Sequence, residues 1–284
     1  MPVRPFVDLH AHSSVSDGTE PPAQVMAAAR AAGLDVVALT DHDTWDGWDE
    51  AAAAVGRTGV ALVRGAEIST SAGGTSVHLL SYLHDPQARG LGAAVARARE
   101  SRLGRARRMV ERIAQDFDLT WEEVERRLEP GGTVGRPHIA DALVDRGYVA
   151  DRSTAFTELL DTRGPYYVPY DAPDVIEAIE LVRRAGGVPV MAHPRAGSRG
   201  RVVEDEVIAQ MAEAGLAGLE VDHRDHDEGA KAQLRGLAAE LDLFVTGSSD
   251  YHGAGKPNRL GEHLTDPDVL AQIESEGYLP VLRP

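Results

Sequence analysis

Five histidines of this chain stand in four short blocks, and each block reads as the end of a β-strand. The blocks are Asp8-Leu9-His10-Ala11-His12, Thr40-Asp41-His42-Asp43, Ala192-His193-Pro194 and Ser249-Asp250-Tyr251-His252. In His10/His12 and in Asp250/His252 the two side chains are two positions apart, and alternate residues of a strand point to the same face. Each pair can therefore bind one ion or ligand.

Histidine and carboxylate side chains together form a set of nine candidate metal ligands. The set contains His10, His12, Asp17, His42, Glu67, His78, His193, Asp250 and His252. Imidazole and carboxylate groups are typical ligands of borderline divalent metals in hydrolytic sites. If each histidine were an ordinary core or surface residue, its position in every one of these blocks would have to arise by a separate coincidence. We interpret the set as a metal centre.

The blocks resemble the polymerase and histidinol phosphatase (PHP) family of metal-dependent phosphoesterases, in order and through nearly the whole chain. The matching segments are 8–13, 16–18, 40–43, 65–68, 77–80, 190–194 and 247–252. The resemblance implies a distorted (β/α)7-type barrel with a helical insertion subdomain. In barrels of alternating strands and helices, active sites lie at the carboxyl ends of the strands.

The resemblance also implies how the ligands divide among two or three divalent ions. One ion would take His10, His12, Glu67 and Asp250, a second would take Glu67 as a bridge with His78 and His193, and a third would take Asp17, His42 and His252. Manganese, iron and zinc all accept this chemistry. Asp8 and Asp43 are expected to orient ligands, whereas Asp41 either supports a ligand or makes local hydrogen bonds.

Composition fits a folded enzyme. The chain has 284 residues, no cysteine, 43% hydrophobic residues and a formal charge of −16. Such a charge disfavours binding to duplex nucleic acid, but bound cations would reverse the local sign and attract a small phosphate ester. Without a run of about 18 apolar residues or a secretory signal in residues 1–6, we expect no membrane contact and a cytoplasmic location.

Strand-like and helical segments alternate along the chain, which predicts a parallel sheet closed into a barrel. The predicted strands are 6–10, 36–40, 60–68, 188–192, 218–222 and 243–247, and the predicted helices are 22–32, 45–55 and 179–185. The strand rhythm stops in the middle of the chain, where helices are predicted at 91–117, 121–128, 138–146 and 153–160. We therefore assign 1–85 and 170–284 to the barrel and 86–169 to a helical insertion.

The segment Gly135-Arg136-Pro137-His138 opens one of the inserted helices. A helix N-terminus favours an anion, and an arginine fork fits a phosphate. Resemblance to the nucleoside bisphosphate phosphatases of the family implies that Arg136 and His138 hold a phosphate that is not cleaved. The alternative is an ordinary helix cap with a buried histidine. Most arginines between 97 and 112 are read as a solvated helix face, with one or two facing the site.

Two further histidines follow a predicted strand in Glu220-Val221-Asp222-His223-Arg224-Asp225-His226. His223 or His226 is a candidate for the catalytic proton donor or for a phosphate contact, and the alternative is a pair of surface histidines in a charged loop.

The expected function is hydrolysis of a small phosphate monoester by hydroxide that bound metals generate at neutral pH. The preferred substrate is a nucleoside 3′,5′-bisphosphate, which would lose its 3′-phosphate, and short single-stranded RNA trimmed from its 5′ end is a related substrate. A histidinol phosphate phosphatase and a noncatalytic accessory PHP module are the alternatives.

Overall fold

The computed structural model describes residues 4–129, 131–169, 171–197 and 200–284. Two positions used in the sequence analysis lie outside these described residues. They are residues 1–3, part of the segment inspected for a secretory signal, and residue 170, the predicted start of the second barrel segment. Seven strands form one sheet in chain order. They are β1 (Val7–Asp8), β2 (Val36–Leu39), β3 (Ala61–Ala72), β4 (Thr75–Tyr82), β5 (Val188–Met191), β6 (Gly218–Asp222) and β7 (Phe244–Gly247).

Ten α-helices surround or extend this sheet within the described ranges. They are α1 (Pro22–Ala31), α2 (Trp48–Thr58), α3 (Arg89–Ile113), α4 (Trp121–Glu125), α5 (Arg136–Asp145), α6 (Arg152–Glu158), α7 (Val175–Arg184), α8 (Asp205–Glu213), α9 (Glu228–Glu240) and α10 (Pro267–Glu276). A short 3₁₀ helix covers Gly253–Gly255. No helix in the described part of the chain combines the length and apolarity that crossing a membrane requires. The helices α8, α9 and α10 had not been predicted individually.

The sheet curls until its two edges nearly meet. Ala11, after β1, forms a parallel bridge with Tyr251, after β7, and the His12 backbone N–H donates to the Tyr251 carbonyl at 2.8 Å. The predicted fold class, a distorted seven-stranded barrel with inserted helices, is confirmed.

The expectation of a wholly parallel sheet is wrong at β4, a strand that the sequence reading did not include. β4 runs antiparallel to both β3 and β5, whereas the other neighbouring strands are parallel. Gly73 and Gly74, both with positive φ, connect β3 to β4 in a two-residue turn. Such a turn joins adjacent antiparallel strands directly, so no crossover helix intervenes.

Apolar side chains fill the barrel away from the predicted metal ligands. Leu9, Tyr82 and Val190, from different strands or strand ends, belong to one buried cluster, and Leu270 and Ile273 of α10 pack against it. The Tyr82 hydroxyl donates to the Leu9 carbonyl at 2.9 Å across the interior. This packing fixes the β1 end relative to β4, and therefore the positions of the residues that follow Leu9.

The helices inserted between β4 and β5 have a hydrophobic cluster of their own, which includes Met109, Ile113, Ile139 and Leu143. Arg102 on α3 connects this helical region to the barrel, because its Nε donates to Asp43 Oδ2 at 2.6 Å. The boundaries 86–169 stay a prediction.

Asp8 holds the seam of the barrel together. Its buried carboxylate accepts backbone hydrogen bonds from His10 at 3.3 Å, Ser249 at 3.1 Å and Gly261 at 2.9 Å. Burial raises the pKa of Asp8 to about 6, and the backbone donors of Gly261 and Ser249 oppose that rise. One side chain thus binds the segment after β1 to the segment after β7.

We expect Asp8→Ala to destabilise the protein by about 3 kcal/mol, because buried backbone donors would lose their acceptor. Asp8→Asn keeps one acceptor oxygen and should cost less. Chemical denaturation of the metal-free proteins measures both. A loss below about 0.5 kcal/mol for the alanine variant, the range of ordinary surface substitutions, would contradict this role.

Candidate metal centre

The predicted ligands converge at one end of the barrel, because nearly every strand delivers a polar residue there. His10 and His12 follow β1, His42 follows β2 and Glu67 lies in β3. The remaining members are His78 in β4, His193 after β5, Asp250 and His252 after β7, and Asp17 in the loop after β1. β4 runs the other way, yet the pairing of His78 with Ser69 of β3 brings His78 to the same end.

Glu67 lies at the middle of the cluster with a side-chain exposure of 1%. Its Oε1 is 2.7 Å from His78 Nδ1 and 3.1 Å from His193 Nε2. His78 is the most exposed of these three residues, at 24%. The opening toward solvent therefore lies on the His78 side.

The other oxygen of Glu67 faces the paired histidines that follow β1. Glu67 Oε2 is 3.2 Å from His10 Nε2 and 3.0 Å from His12 Nε2, and Asp250 Oδ1 is 3.4 Å from each of the same two nitrogens. The two imidazole nitrogens are 3.0 Å apart. The i, i+2 spacing thus brings both rings to one point, as predicted.

Asp17 is the centre of a second group of close side chains, and we call this group and the one around Glu67 the two foci of the cluster. Its Oδ1 lies 3.2 Å from His252 Nε2 and 3.8 Å from His12 Nδ1, and its Oδ2 lies 3.7 Å from His42 Nε2. His42 Nδ1 is 3.2 Å from Glu67 Oε2, so His42 connects the two foci.

Among the residues that the structure describes, three overlapping groups have ligand atoms within 4.8 Å of one another, a spacing compatible with one cation whose bonds are about 2.1 Å long. The groups are His10, His12, Glu67 and Asp250; His12, Asp17, His42 and His252; and His42, Glu67 and His78. The first equals the predicted first set. The second adds His12 to the predicted third set, and the third brings His42 beside Glu67 and His78, with His193 close to the same carboxylate oxygen.

The buried rings cannot all be protonated together. Burial alone would lower the pKa of His12, but Asp250 and Glu67 raise it to about 9. Burial, Lys256 and His12 lower the pKa of His252 to about 4, and the rings of His12 and His252 are only 4.1 Å apart. A proton on the His12 ring therefore disfavours a proton on the His252 ring.

Three buried ring nitrogens among the described residues lie beside carboxylates of the cluster without making a hydrogen bond. They are His42 Nδ1 beside Glu67, His252 Nε2 beside Asp17 and His223 Nε2 beside Asp250. A buried polar atom without a partner costs free energy, whereas a lone pair directed at a shared centre suits a divalent cation. The donor set, the spacing and these nitrogens fit a metal centre.

Glu220 is a site residue that the sequence reading quoted but gave no role. It is buried in β6, where its Oε1 lies 2.9 Å from His10 Nδ1 and its Oε2 accepts the His193 backbone N–H at 2.8 Å. A carboxylate on the far nitrogen of a ligating histidine fixes the ring and its tautomer. The sequence signal that could have identified this role is a glutamate inside a predicted strand of otherwise mainly apolar residues.

Asp41 and Asp43 have separate tasks on the two sides of His42. Asp41 accepts hydrogen bonds from the backbone and hydroxyl of Ser13, both at 2.7 Å, and from Ser16 Oγ at 2.6 Å. This geometry favours local hydrogen bonding for Asp41, the second of the two alternatives.

The Asp43 carboxylate instead accepts hydrogen bonds from the backbone N–H and the hydroxyl of Ser69 in β3, both at 2.7 Å. It adopts φ 51°, and His193 and Asp250 also have positive φ, at 32° and 52°. Such values are uncommon for residues other than glycine and cluster at functional sites. The loops are held in these conformations by the contacts that aim the ligands.

His223 and His226 differ in what their rings contact. His226 Nδ1 is 2.8 Å from the Val221 carbonyl, and its Nε2 accepts the Arg195 backbone N–H at 3.0 Å. Both nitrogens of His226 thus face the backbone. His223 Nδ1 accepts the Asp225 N–H at 3.1 Å, while its Nε2 lies 3.8 Å from Asp250 Oδ2. Only His223 faces the cluster.

Arg136 and His138 also point in different directions. Arg136 Nη1 donates to the Leu160 carbonyl at 3.0 Å, and its guanidinium lies 5.1 Å from the Phe156 ring centre. His138 Nδ1 accepts the Gly135 N–H at 3.0 Å, as a helix cap. In this arrangement the two side chains do not share one binding point.

Comparison with known proteins agrees with the fold and the site. The PHP domain family model matches residues 8–119. The chain is 34% identical to a 3′,5′-nucleoside bisphosphate phosphatase of Chromobacterium violaceum, over 98% of both chains. It is 31% identical to a 5′-3′ exoribonuclease of Haemophilus influenzae, over 94% of this chain and 97% of the other. A crystal structure from Bifidobacterium adolescentis, provisionally assigned as a metal-dependent phosphoesterase, has 44% identity and a TM-score of 0.94 over 98% of both chains.

Fold and site together define a metal-dependent hydrolase of phosphate esters. The chain belongs to the PHP family, as the sequence blocks had indicated.

We expect Glu220→Gln to weaken metal binding about 10- to 100-fold, because a neutral amide holds the His10 ring less firmly. Asp222→Asn is a matched control, since Asp222 lies in the same strand but pairs with Arg235 outside the cluster. Titration against a competing chelator measures both affinities. Equal affinity in the two variants would exclude the proposed positioning role.

Proposed function

We propose that this phosphoesterase removes the 3′-phosphate of a nucleoside 3′,5′-bisphosphate and also trims short RNA from the 5′ end. The observation that carries the proposal is the convergence of nine histidine and carboxylate side chains around Glu67 and Asp17. Full-length similarity to a bisphosphate phosphatase and to a 5′-3′ exoribonuclease supports the substrate class.

The proposed ligands are the nine residues of the sequence analysis, with Glu67 as the bridge and Asp17 at a third position. Two or three divalent ions, with manganese, iron and zinc as candidates, would supply a nucleophile from water and neutralise the phosphoryl oxygens. The protein's part is to hold the ligands in place: Glu220 fixes His10, and Asp43 fixes the loop after β2.

His223 is the proposed donor to the oxygen that leaves phosphorus. In the described conformation Nδ1 accepts the Asp225 N–H, so the ring is neutral and its one hydrogen lies on Nε2, the atom directed at the cluster. Transfer of that proton requires the imidazolium form, in which Nδ1 is also protonated and releases the Asp225 N–H. His226, whose ring nitrogens contact backbone groups, is proposed to hold the loop that positions His223. This narrows the two sequence candidates for the donor to one.

Arg136 and His138 remain the proposed contacts of the phosphate that is not cleaved. They open α5 beside the site, where the helix N-terminus favours an anion. Their present orientations require Arg136 to leave the Leu160 carbonyl when substrate binds.

Two alternatives compete with this proposal. A histidinol phosphate phosphatase would need a contact for an imidazole and an amine instead of a second phosphate. A noncatalytic PHP module would have no use for a complete ligand set, and the full-length similarity to two enzymes favours catalysis.

A substrate panel tests the function. With metal-reconstituted protein, we expect kcat/KM for adenosine 3′,5′-bisphosphate to exceed that for adenosine 5′-monophosphate about tenfold or more, because one charged contact contributes at least that factor. Adenosine 5′-monophosphate should be the product. Short 5′-phosphorylated RNA and histidinol phosphate complete the panel.

Glu67→Gln is the variant that ties the reaction to the metal centre, because the amide removes the charge shared by neighbouring cations. Metal content and turnover should fall together. A preference for histidinol phosphate would establish the first alternative, and no phosphate release from any substrate would establish the second.

The leaving group tests His223. A nucleoside oxygen needs a proton on departure, but p-nitrophenolate does not. We expect His223→Phe to lower kcat/KM for the bisphosphate about 100-fold and for p-nitrophenyl phosphate far less. Asp222→Asn is the control, with equal changes on both substrates, because Asp222 pairs with Arg235 outside the cluster. Equal losses for His223→Phe would rule out proton donation.

A further inference from the structure

Two ion pairs flank His223, the proposed proton donor, in the short loop between β6 and α9. Asp222 precedes His223 and pairs with Arg235 of α9 at 2.6 Å. Arg224 follows His223, and its Nε lies 3.0 Å from Glu262 Oε1, while its Nη2 donates to Glu262 Oε2 at 3.2 Å. We call the Arg224–Glu262 pair the loop clamp. The first pair ties the loop to the helix that follows it, whereas the clamp ties the loop to the segment after β7.

The segment that carries Glu262 is itself held by hydrogen bonds to β1. The Gly261 backbone N–H donates to Asp8 Oδ2 at 2.9 Å. Farther along the segment, the Thr265 backbone N–H donates to the Val7 carbonyl at 2.9 Å. Glu262 therefore lies between two points that are bound to β1, and it offers the arginine a fixed partner.

The same segment begins with Asp250, the carboxylate that faces the donor ring. His223 Nε2 lies 3.8 Å from Asp250 Oδ2. Asn258 Nδ2 donates to the Ser249 carbonyl at 2.6 Å and so joins the first part of the segment to the part that carries the clamp. The clamp therefore connects the residue after His223 to the segment that presents Asp250. Such a connection fixes the distance between the ring and the cluster.

The geometry of the clamp suits positioning more than stability. The side chains of Arg224 and Glu262 are 33% and 18% exposed, and an ion pair that solvent reaches contributes little to the free energy of unfolding. A planar guanidinium that faces a carboxylate through two of its nitrogens nevertheless has a defined direction. We expect loss of the clamp to shift the loop without unfolding the protein.

Other hydrogen bonds of His223 among the described residues stay within β6 and its own loop. The His223 backbone N–H donates to the Val221 carbonyl at 3.0 Å. The Asp225 backbone N–H donates to the ring at Nδ1, at 3.1 Å, and this contact requires an Nδ1 without hydrogen. The clamp does not involve the ring, so it holds the adjacent residue whichever ring nitrogen carries hydrogen.

We propose that the loop clamp is a positioning pair for the phosphoesterase reaction. It sets the distance from the His223 ring to the oxygen that leaves phosphorus, and Arg224 acts through His223 without touching the substrate. A misplacement of about 1 Å at a reacting group can lower a rate about 100-fold. This proposal rests on the proposed role of His223 as proton donor.

Breaking the clamp should slow the hydrolysis of a substrate whose leaving group needs a proton. We expect Arg224→Met to lower kcat for adenosine 3′,5′-bisphosphate about tenfold, with KM nearly unchanged because no substrate contact is lost. The loss for p-nitrophenyl phosphate should be far smaller. Glu262→Gln should show the same selectivity, and the double variant should lose little more than Arg224→Met, because both changes break one contact.

Arg235→Met provides the matched control, because it breaks the ion pair on the other side of His223, which does not reach the segment after β7. Its kcat should change equally on both substrates. Thermal denaturation checks that all variants are folded, and Glu262→Gln, which keeps the side-chain size, tests the clamp if Arg224→Met does not fold. Equal losses on both substrates, an effect on KM alone, or the same selectivity in Arg235→Met would overturn the proposal.

Hydrogen exchange separates this proposal from the proposed function. If His223→Phe lowers turnover of both substrates equally, the donor role fails, and if the native protein hydrolyses no bisphosphate, the substrate assignment fails. Exchange of the Asp225 amide, which donates to the His223 ring, then decides whether the clamp positions that ring. Faster exchange in Arg224→Met than in Arg235→Met supports it, and equal exchange overturns it.

Discussion

The carboxylate of Glu67 is the constraint on which the rest of the structure depends. It is almost fully buried and lies within about 3 Å of five imidazole rings. Burial of so many polar groups is costly unless their charges are compensated. The burial that would raise the pKa of Glu67 is outweighed by His42, His78 and His10, which hold it well below its ordinary range. A bound cation would compensate the buried negative charge of Glu67 as shared protons do. The arrangement that makes burial of the cluster tolerable is therefore also the arrangement that suits a metal ion.

Buried hydrogen bonds outside the cluster hold its residues in position. Glu220 aims His10, and Asp8 ties the loop that carries Asp250 to the segment after β1. The Tyr82 hydroxyl donates from across the barrel to the carbonyl of Leu9, the residue before His10. Each of these contacts is buried and directional, so the ligands reach the centre on rigid supports. Apolar packing holds the other end of the barrel, and polar groups occupy the open end.

The inserted helices bring positive side chains to the loops at the open end of the barrel. The chain is acidic overall, with a formal charge of −16, yet arginines of these helices contact the segments that carry candidate ligands. Arg102 of α3 donates to Asp43 at 2.6 Å, and Arg152 of α6 donates to the Asp17 carbonyl at 3.4 Å. These two contacts fix the loops after β1 and β2 to the inserted helices.

The sequence by itself determined the ligand types, the i, i+2 pairs, the barrel class and the family, because strand alternation and local spacing encode them. Most helices and strands also lie within a few residues of their predicted bounds. Only the tertiary structure decided that β4 is antiparallel, that Glu220 meets His10 from a strand 210 residues away, and that Arg136 and His138 point apart. These outcomes depend on packing between distant segments and on side-chain direction. Local periodicity in the sequence carries no information about packing between distant segments or about side-chain direction. Residues in a clear motif could therefore be predicted, whereas the residues that hold them in position could not.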